Sequence, residues 1–438
     1  MIRVAQVVRP AAGGIRRHVG LLLAHLDRSK IEAALFAPAN FSLDPPAAGV
    51  PRVPLDIAPA LSPLRDIRAI LRLRSLLHGR FDLVHAHGVR GAIVGVAAAR
   101  LARIPSVFTA HNLLPSSGAA TLSALRALVR GAQVVAVSQA VADSLAPLHI
   151  PADRVHVTPN GIDLAGFDGP AITGEERRRV LRCLASAASS GAGPAAKRAP
   201  NHWRQPDRGA APGASEESSA GRDVGASAAA VGTGHGAPDS VCSEADSTGG
   251  TEPFVIAAVG RLSPEKGFDI LVGAFASWQA AEPGTAASRR LVIAGAGPEA
   301  DRLAAMARGV PGVSLPGAIA DVAPLLRAAD VVAVPSRSEG HGLVALEAMA
   351  ARRAVVAAAS GGLVETVIEG ETGLLVPTGD VEALRAALMR LAASPELRSG
   401  MGARGRARVE RDYSAAAMAK RIAAIYRAAA GTGGADAD

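Results

Sequence analysis

Short apolar runs alternate along this chain with longer segments whose apolar positions recur every three to four residues. In the first 170 residues the runs Ile2–Val8, Ile31–Phe36, Leu83–Ala86, Ser106–Thr109, Val134–Val137 and Val155–Thr158 read as strands. HVGLLLAHL and IRAILRLRSLL, between them, carry the helical period. The pattern resumes at Phe254 with the strands FVIAAVG, RLVIAGAG, VSLPG, VVAVPS and AVVAAA. Five helical segments lie among or after them: FDILVGAFASW, EADRLAAMA, VAPLLRAA, LVALEAMA and VEALRAALMRLA. Strand and helix in strict alternation predict α/β architecture with parallel, doubly wound sheets. Two such units put the ligand-binding crevice between them, at the carboxyl ends of the strands.

The pattern lapses over 186–252, which is rich in Gly, Ser, Ala and Pro and holds five basic and eight acidic residues. Such a stretch buries too little apolar surface to offset its ordering entropy, so it reads as a disordered insertion. The expected organisation is a first Rossmann-like, acceptor-side domain over 1–170, the insertion, a second Rossmann-like domain over 253–410, and a terminal helix over 411–430. In that helix Ser414 is the expected cap, and Met418, Ile422, Ile425 and Tyr426 share one face.

At 438 residues there is room for two full cores. The formal charge of +8 suits an acidic ligand, a nucleic acid or an anionic lipid surface, but aromatics at 3% argue against nucleic-acid binding by base stacking. Cys183 and Cys242 are too few for a disulfide framework or a cysteine zinc site. The N-terminus enters a strand without a signal-peptide apolar region, and no apolar run reaches 18 residues. A cytoplasmic protein, at most peripheral on the inner face of a membrane, is expected.

The candidate chemistry lies in glycine turns after strands. In PSRSEGHGLVALEAMA, residues 335–350, Gly340-His341-Gly342 separates a buried strand from a helix, with Glu339 and Glu347 on either side. The free N–H groups of such a turn suit a phosphate, and a carboxylate suits the paired hydroxyls of a sugar. An ordinary helix start with an acidic first turn fits as well. A second turn, Gly260-Arg261-Leu262, leads to Glu265-Lys266-Gly267; its two cations could clamp a diphosphate and do the leaving-group work of a metal, no metal site being visible, and a solvated helix start fits equally. A third turn, Ala294 to Ala300, matches the G-x-G-x-x-A dinucleotide fingerprint at Gly295 and Gly297. At the N-terminus Gly13-Gly14 follows the first strand, and Arg16, Arg17 and His18 open a helix. His111 ends a strand and faces the crevice as a base, a sugar contact or a loop histidine; His85 and His87 in LVHAHG are similar, the first more apt to be buried.

Together these runs resemble the retaining family 4 glycosyltransferases of the GT-B fold (glycosyl transferases group 1). The resemblance rests on VGRLSPEKGFDILVGAFA, LVIAGAGPEADRL, AADVVAVPSRSEGHGLVALEAMAARRAVVAAASGGLVETV and EGETGLLVP in the second half. GGIRRHV, DLVHAHG, FTAHN, AVSQAV and TPNGID carry it in the first. It covers nearly the whole chain outside 186–252, and it implies sugar transfer from a nucleotide diphosphate donor, a UDP- or GDP-sugar, to a hydroxyl of a glycan, lipid-linked or small-molecule acceptor, as in polysaccharide biosynthesis. By resemblance Arg261 and Lys266 hold the diphosphate, with Gly297 nearby. Glu347 takes the ribose hydroxyls, and Glu339 with the backbone of Gly340, His341, Gly342, Leu343 and Val344 faces donor sugar and phosphate. Gly14 lies under the diphosphate, and His111 contacts the reacting sugar. The catalytic set is then His111, Glu339, Arg261 and Lys266, working without metal or cofactor. His341 and Ala354 stand where the family more often has an apolar or aromatic residue and a proline.

Three alternatives stand beside it: a nucleotide-sugar epimerase of the same architecture, an NAD-dependent oxidoreductase using the Gly295–Gly297 turn, and a non-catalytic sugar-nucleotide-binding module. Arg65, Arg68, Arg72 and Arg74 in PLRDIRAILRLRSLL suggest a helix lying on anionic lipid, or a solvated basic face.

Overall fold

A computed structural model describes residues 1–10, 13–58, 60–114, 119–169, 172–189 and 252–431, and in it the apolar runs become the strands of two parallel sheets. The first sheet comprises β1 (Ile2–Val8), β2 (Ile31–Ala37), β3 (Arg52–Pro54), β4 (Leu83–His87), β5 (Ser106–Ala110), β6 (Gln133–Ala136) and β7 (Val155–Val157), in the order β3-β2-β1-β4-β5-β6-β7. The second comprises β8 (Phe254–Val259), β9 (Arg289–Ala294), β10 (Val313–Gly317), β11 (Val331–Val334), β12 (Ala354–Ala358) and β13 (Gly373–Val376), in the order β10-β9-β8-β11-β12-β13. The central strands are buried on both faces rather than on alternate positions, so both faces need cover, and the crossover helices supply it. Each sheet reverses direction once, between β1 and β4 and between β8 and β11. A doubly wound sheet opens its binding crevice at such a reversal.

Several described elements are absent from the pattern reading, and four of them show why. β3 has only three residues, on a sheet edge, and β13 begins on a glycine. The helices Gly174–Ser189 and Pro395–Asp412 carry too many charged residues for an apolar stripe to stand out. The disorder expected for 186–252 does not hold at its start, where residues 186–189 still belong to the first of these helices. Nor does it hold at Glu252, whose carboxylate pairs with Arg178 at 3.1 Å. Residues 190–251 lie outside the described residues.

The terminal helix, Ala415–Ala429, starts where the Ser414 hydroxyl accepts from the Ala417 N–H at 3.2 Å. Met418, Ile422, Ile425 and Tyr426 join the core of the first sheet beside Val4, Val19, Leu22 and Val107. The chain that leads into this helix pairs by its backbone with the segment that leaves the first sheet, Ile162 N–H to Tyr413 O at 2.8 Å and Ala415 N–H to Ile162 O at 3.1 Å, and Ile162 itself packs in the core of the second sheet. Gly161 makes that contact possible, because a Cβ there would lie 2.5 Å from the Ala415 Cα. No helix among the described residues is long and apolar enough to cross a membrane.

Candidate functional site

The turn after β11 folds against the turn after β5, and this contact brings the two halves of the site together. A Cβ on Gly340 would sit 2.1 Å from the His111 carbonyl oxygen, so only glycine fits. The Ser138 hydroxyl donates to the Gly340 carbonyl at 2.6 Å. The Gln139 and Ala140 N–H groups each donate to the Glu365 carboxylate at 2.8 Å. Gly342 takes a positive φ of 84° and starts the helix Leu343–Ala350, while the Leu343 side chain reaches across to Gly14.

On the second-domain side, Lys266 Nζ donates to Glu339 Oε2 at 2.6 Å, and the Ser336 hydroxyl donates to the same oxygen at 3.1 Å. Arg261 stands exposed on the neighbouring turn with no ion-pair partner among the described residues. Glu347 is 5% exposed and meets Arg17 of the first domain, Nε to Oε1 at 3.0 Å. Burial raises the Glu347 carboxyl to about 7; Arg17 opposes that shift, and Asp44 and Asp321 add to it.

The dinucleotide-fingerprint turn is differently employed. Cβ atoms at Gly295 and Gly297 would lie 1.8 Å from the Gly260 carbonyl and 2.2 Å from the Leu262 carbonyl. Both glycines let this loop zip onto the turn that carries Arg261, through Leu262 N–H to Ala296 O at 3.0 Å and Glu299 N–H to Leu262 O at 2.9 Å. The oxidoreductase reading loses its main sequence support here, because loop packing accounts for the glycine spacing. Gly297 supports the Arg261 turn, and its α-carbon is covered by protein backbone.

The first-domain side is built on histidines. His85 and His87 on β4 are fully buried. Gln6 on β1 donates through Nε2 to the Tyr426 hydroxyl at 2.9 Å, and its Oε1 lies 2.9 Å from His87 Nε2. An amide oxygen only accepts, so His87 carries its proton on Nε2 and leaves Nδ1 as a lone pair. That lone pair faces His111 Nε2 at 3.3 Å. The Tyr426 hydroxyl reaches His85 Nδ1 at 2.5 Å, and His85 Nε2 meets the Thr109 hydroxyl at 2.6 Å. A relay of hydrogen bonds thus joins the terminal helix to His111. Burial lowers the pKa of all these imidazoles, and of His18 to about 4 and His341 to about 3, so the group is neutral near pH 7.

Of the residues singled out in the sequence, Gly14, His111, Lys266, Glu339, Gly340, Gly342, Leu343 and Glu347 converge on the crevice. Val344 is half-buried beside Leu343 in the same helix. His341 points into protein, 3% exposed, with its ring centroid 5.5 Å from that of Tyr413. Pattern reading did not isolate Arg17 as the partner of Glu347, or Ser336, Asn160 and Gln6 as supports. Sequence spacing also gave no sign that His18, His87 and His111 place their ring nitrogens within 4.8 Å of one another. Their separation along the chain hid this, because each arrives from a different element.

Residues 253–394 match the family model described as glycosyl transferases group 1, and residues 12–165 match that of glycosyltransferase family 4. The D-inositol 3-phosphate glycosyltransferase of Saccharomonospora viridis is 30% identical over 95% of this chain and 90% of its own. The GDP-mannose-dependent alpha-(1-6)-phosphatidylinositol monomannoside mannosyltransferase of Mycolicibacterium smegmatis is 38% identical over 36% of this chain and 43% of its own. Among solved structures, Anabaena Alr3699/HepE in complex with UDP and glucose superposes with a TM-score of 0.71 at 20% identity, over 97% of this chain and 98% of that one. WaaG, a glycosyltransferase involved in lipopolysaccharide biosynthesis, gives 0.65 at 13% identity, over 97% and 99%.

Proposed function

This chain belongs to the family 4 glycosyltransferases of the GT-B fold, enzymes that take a sugar from a nucleotide-sugar donor, and from that membership we propose how its own residues divide the work. Arg261 and Lys266 hold the donor diphosphate. Glu347 accepts from the ribose hydroxyls, Glu339 and the backbone from Gly340 to Val344 face the donor sugar, and Gly14 and His111 close over it from the first domain. In the transfer, the bond from the anomeric carbon to the diphosphate oxygen breaks and a bond to the acceptor oxygen forms. The acceptor oxygen bonds on the face that the diphosphate leaves, so the anomeric configuration is retained, and the acceptor proton goes to the departing diphosphate. The cations offset charge developing on the leaving group, and the closed crevice positions the acceptor.

The observation that carries this reading is the placement of Lys266, Glu339 and Glu347 around one turn that seats on His111. The test is release of nucleoside diphosphate and appearance of glycosylated product across a panel of UDP- and GDP-sugars. Donor hydrolysis and transfer both absent across that panel would remove the assignment.

For the acceptor, we propose an alcohol that carries an anionic group. A cavity of the first domain is lined by Arg9 and Arg90 together with Phe108, Leu113, Leu114 and Leu125. The pKa of Arg9 is lowered by burial first, then by the charges of Arg90 and Arg261, so an anion there relieves both. The relative from Saccharomonospora viridis, named for D-inositol 3-phosphate, makes that compound the first acceptor to try.

A lipid-linked acceptor fits a second observation. Leu61, Leu64, Ile67 and Leu71 are 72%, 73%, 54% and 51% exposed, and the last three lie on the helix Pro63–Leu77. Arg65, Arg68, Arg72 and Arg74 lie among them, with no ion-pair partner among the described residues. Asp66 of the same helix pairs with Arg90 of the cavity at 2.7 Å. An apolar stripe among cations suits peripheral contact with anionic lipid.

A further inference from the structure

We propose that His18, His87 and His111 form a binding site for a divalent d-block ion such as zinc, and that the ion, once bound, excludes the donor sugar. The three rings come from the helix Gly14–His25, from the end of β4 and from the first residue after β5. One ring nitrogen of each lies within 4.8 Å of the other two. The His87 Nδ1 to His111 Nε2 separation is 3.3 Å. Two nitrogens bound to one tetrahedral ion at about 2.0–2.1 Å stand roughly 3.3 Å apart, so this pair already has the spacing of two ligands.

The surroundings fix which nitrogens are offered. His18 Nδ1 lies 2.8 Å from Asn160 Oδ1, which only accepts, so Nδ1 carries the proton and Nε2 presents a lone pair. His18 is 1% exposed, and its Nε2 is buried with no hydrogen-bond partner. A buried, unpartnered polar atom normally has an occupant to satisfy it. Gln6 Oε1 fixes His87 in the complementary sense, proton on Nε2 and lone pair on Nδ1. A metal-binding histidine characteristically gives its second N–H to such an acceptor, which sets the ring and raises ligand basicity. Only His111 needs to move a proton, from Nε2 to Nδ1, to offer its own lone pair in place of its hydrogen bond to His87.

The donor set names the ion class. Three neutral imidazoles and no carboxylate suit zinc, cobalt, nickel or copper, and they disfavour magnesium and calcium, which need oxygen ligands. Three protein ligands leave one tetrahedral position for water. The site adjoins the contact of His111 with Gly340, where the donor sugar is placed above. The exclusion half of the proposal rests on that placement; the binding half does not.

Cobalt(II) titrated into the full chain without donor tests the binding half. The expected result is a visible absorption band of four-coordinate intensity that saturates at one equivalent and is displaced by zinc. His18→Ala abolishes the band. Asn160→Leu keeps the shape of the side chain but frees the His18 tautomer, and should weaken binding about 10- to 100-fold while the thermal transition stays cooperative. No saturable band, or a band unchanged in both variants, overturns the site. The exclusion half is read separately: zinc inhibits transfer competitively with the nucleotide-sugar, and a chelator restores it. Stoichiometric binding without inhibition overturns the exclusion and, with it, the placement of His111 at the sugar, while leaving the ion site standing.

Discussion

Arg17 Nε lies 3.0 Å from Glu347 Oε1, so the first helix of one domain is ion-paired with the donor-side helix of the other. The pair spans the crevice at the point where the nucleoside is proposed to bind. A ribose that takes the Glu347 carboxylate must share it with Arg17 or displace that guanidinium.

Burial holds the Glu347 carboxyl at about 7, against an ordinary 4.5, so the folded chain binds this proton more tightly than the unfolded chain does. The stabilisation from this group is complete below about 4.5 and is lost as pH rises through about 7. Glu347→Gln should flatten that part of a stability-against-pH curve. The carboxylate is the form that accepts from hydroxyls, so kcat/KM for the donor should rise with pH through about 7 in the native chain. A rise of the same size in Glu347→Gln would assign the titration to another group.

Gly340→Ala tests the contact between the domains. Its methyl would meet the His111 carbonyl at 2.1 Å, and neither backbone can yield. The variant should fold but fail to close, with turnover lower on the order of 100-fold. Thermal unfolding and turnover, measured together, distinguish this from simple destabilisation. Near-native turnover would mean that closure does not need this contact.

Tyr426→Phe removes the hydroxyl that Gln6 and His85 share, leaving buried polar atoms unpaired at a cost of about 1–3 kcal/mol. The Gln6 amide that orients His87 loses one anchor, so turnover should fall along with stability. Lower stability with unchanged kcat would confine Tyr426 to holding the terminal helix in place.

The basic helix is tested by co-sedimentation with vesicles of mixed neutral and anionic lipid. Binding should weaken with salt and should drop when Ile67 and Leu71 are both changed to Glu. Each of Arg65, Arg68 and Arg72 changed to Gln should reduce affinity by about 1 kcal/mol. Equal binding to wholly neutral vesicles would contradict the role given to the arginines.

Much of the architecture was legible because the buried strands are short, mainly apolar runs and a period of 3.6 marks many of their crossover helices. Legibility failed where local sequence carries no burial signal, as in the three residues of β3 or the arginine-rich helix Pro395–Asp412. The strand-to-helix turns that carry Lys266, Glu339 and Glu347 were legible one by one. Their partnerships were not. Arg17 meets Glu347 only because two sheets close on each other. His18, His87 and His111 converge only because three elements end at one place. The Gly295–Gly297 turn shows the converse, since a spacing that suggests a dinucleotide is here required by the neighbouring loop's backbone.

The most direct test of the donor site is equilibrium binding of UDP and GDP to the full chain and to the variants Lys266→Ala, Arg261→Ala and Glu347→Ala. At least one nucleotide should bind saturably. Loss of either cation should weaken it by at least about tenfold, as expected for a charge-assisted contact to phosphate. The Glu347 variant should lose affinity for the nucleotide but not for inorganic diphosphate. Unchanged nucleotide affinity in all three variants would contradict the account.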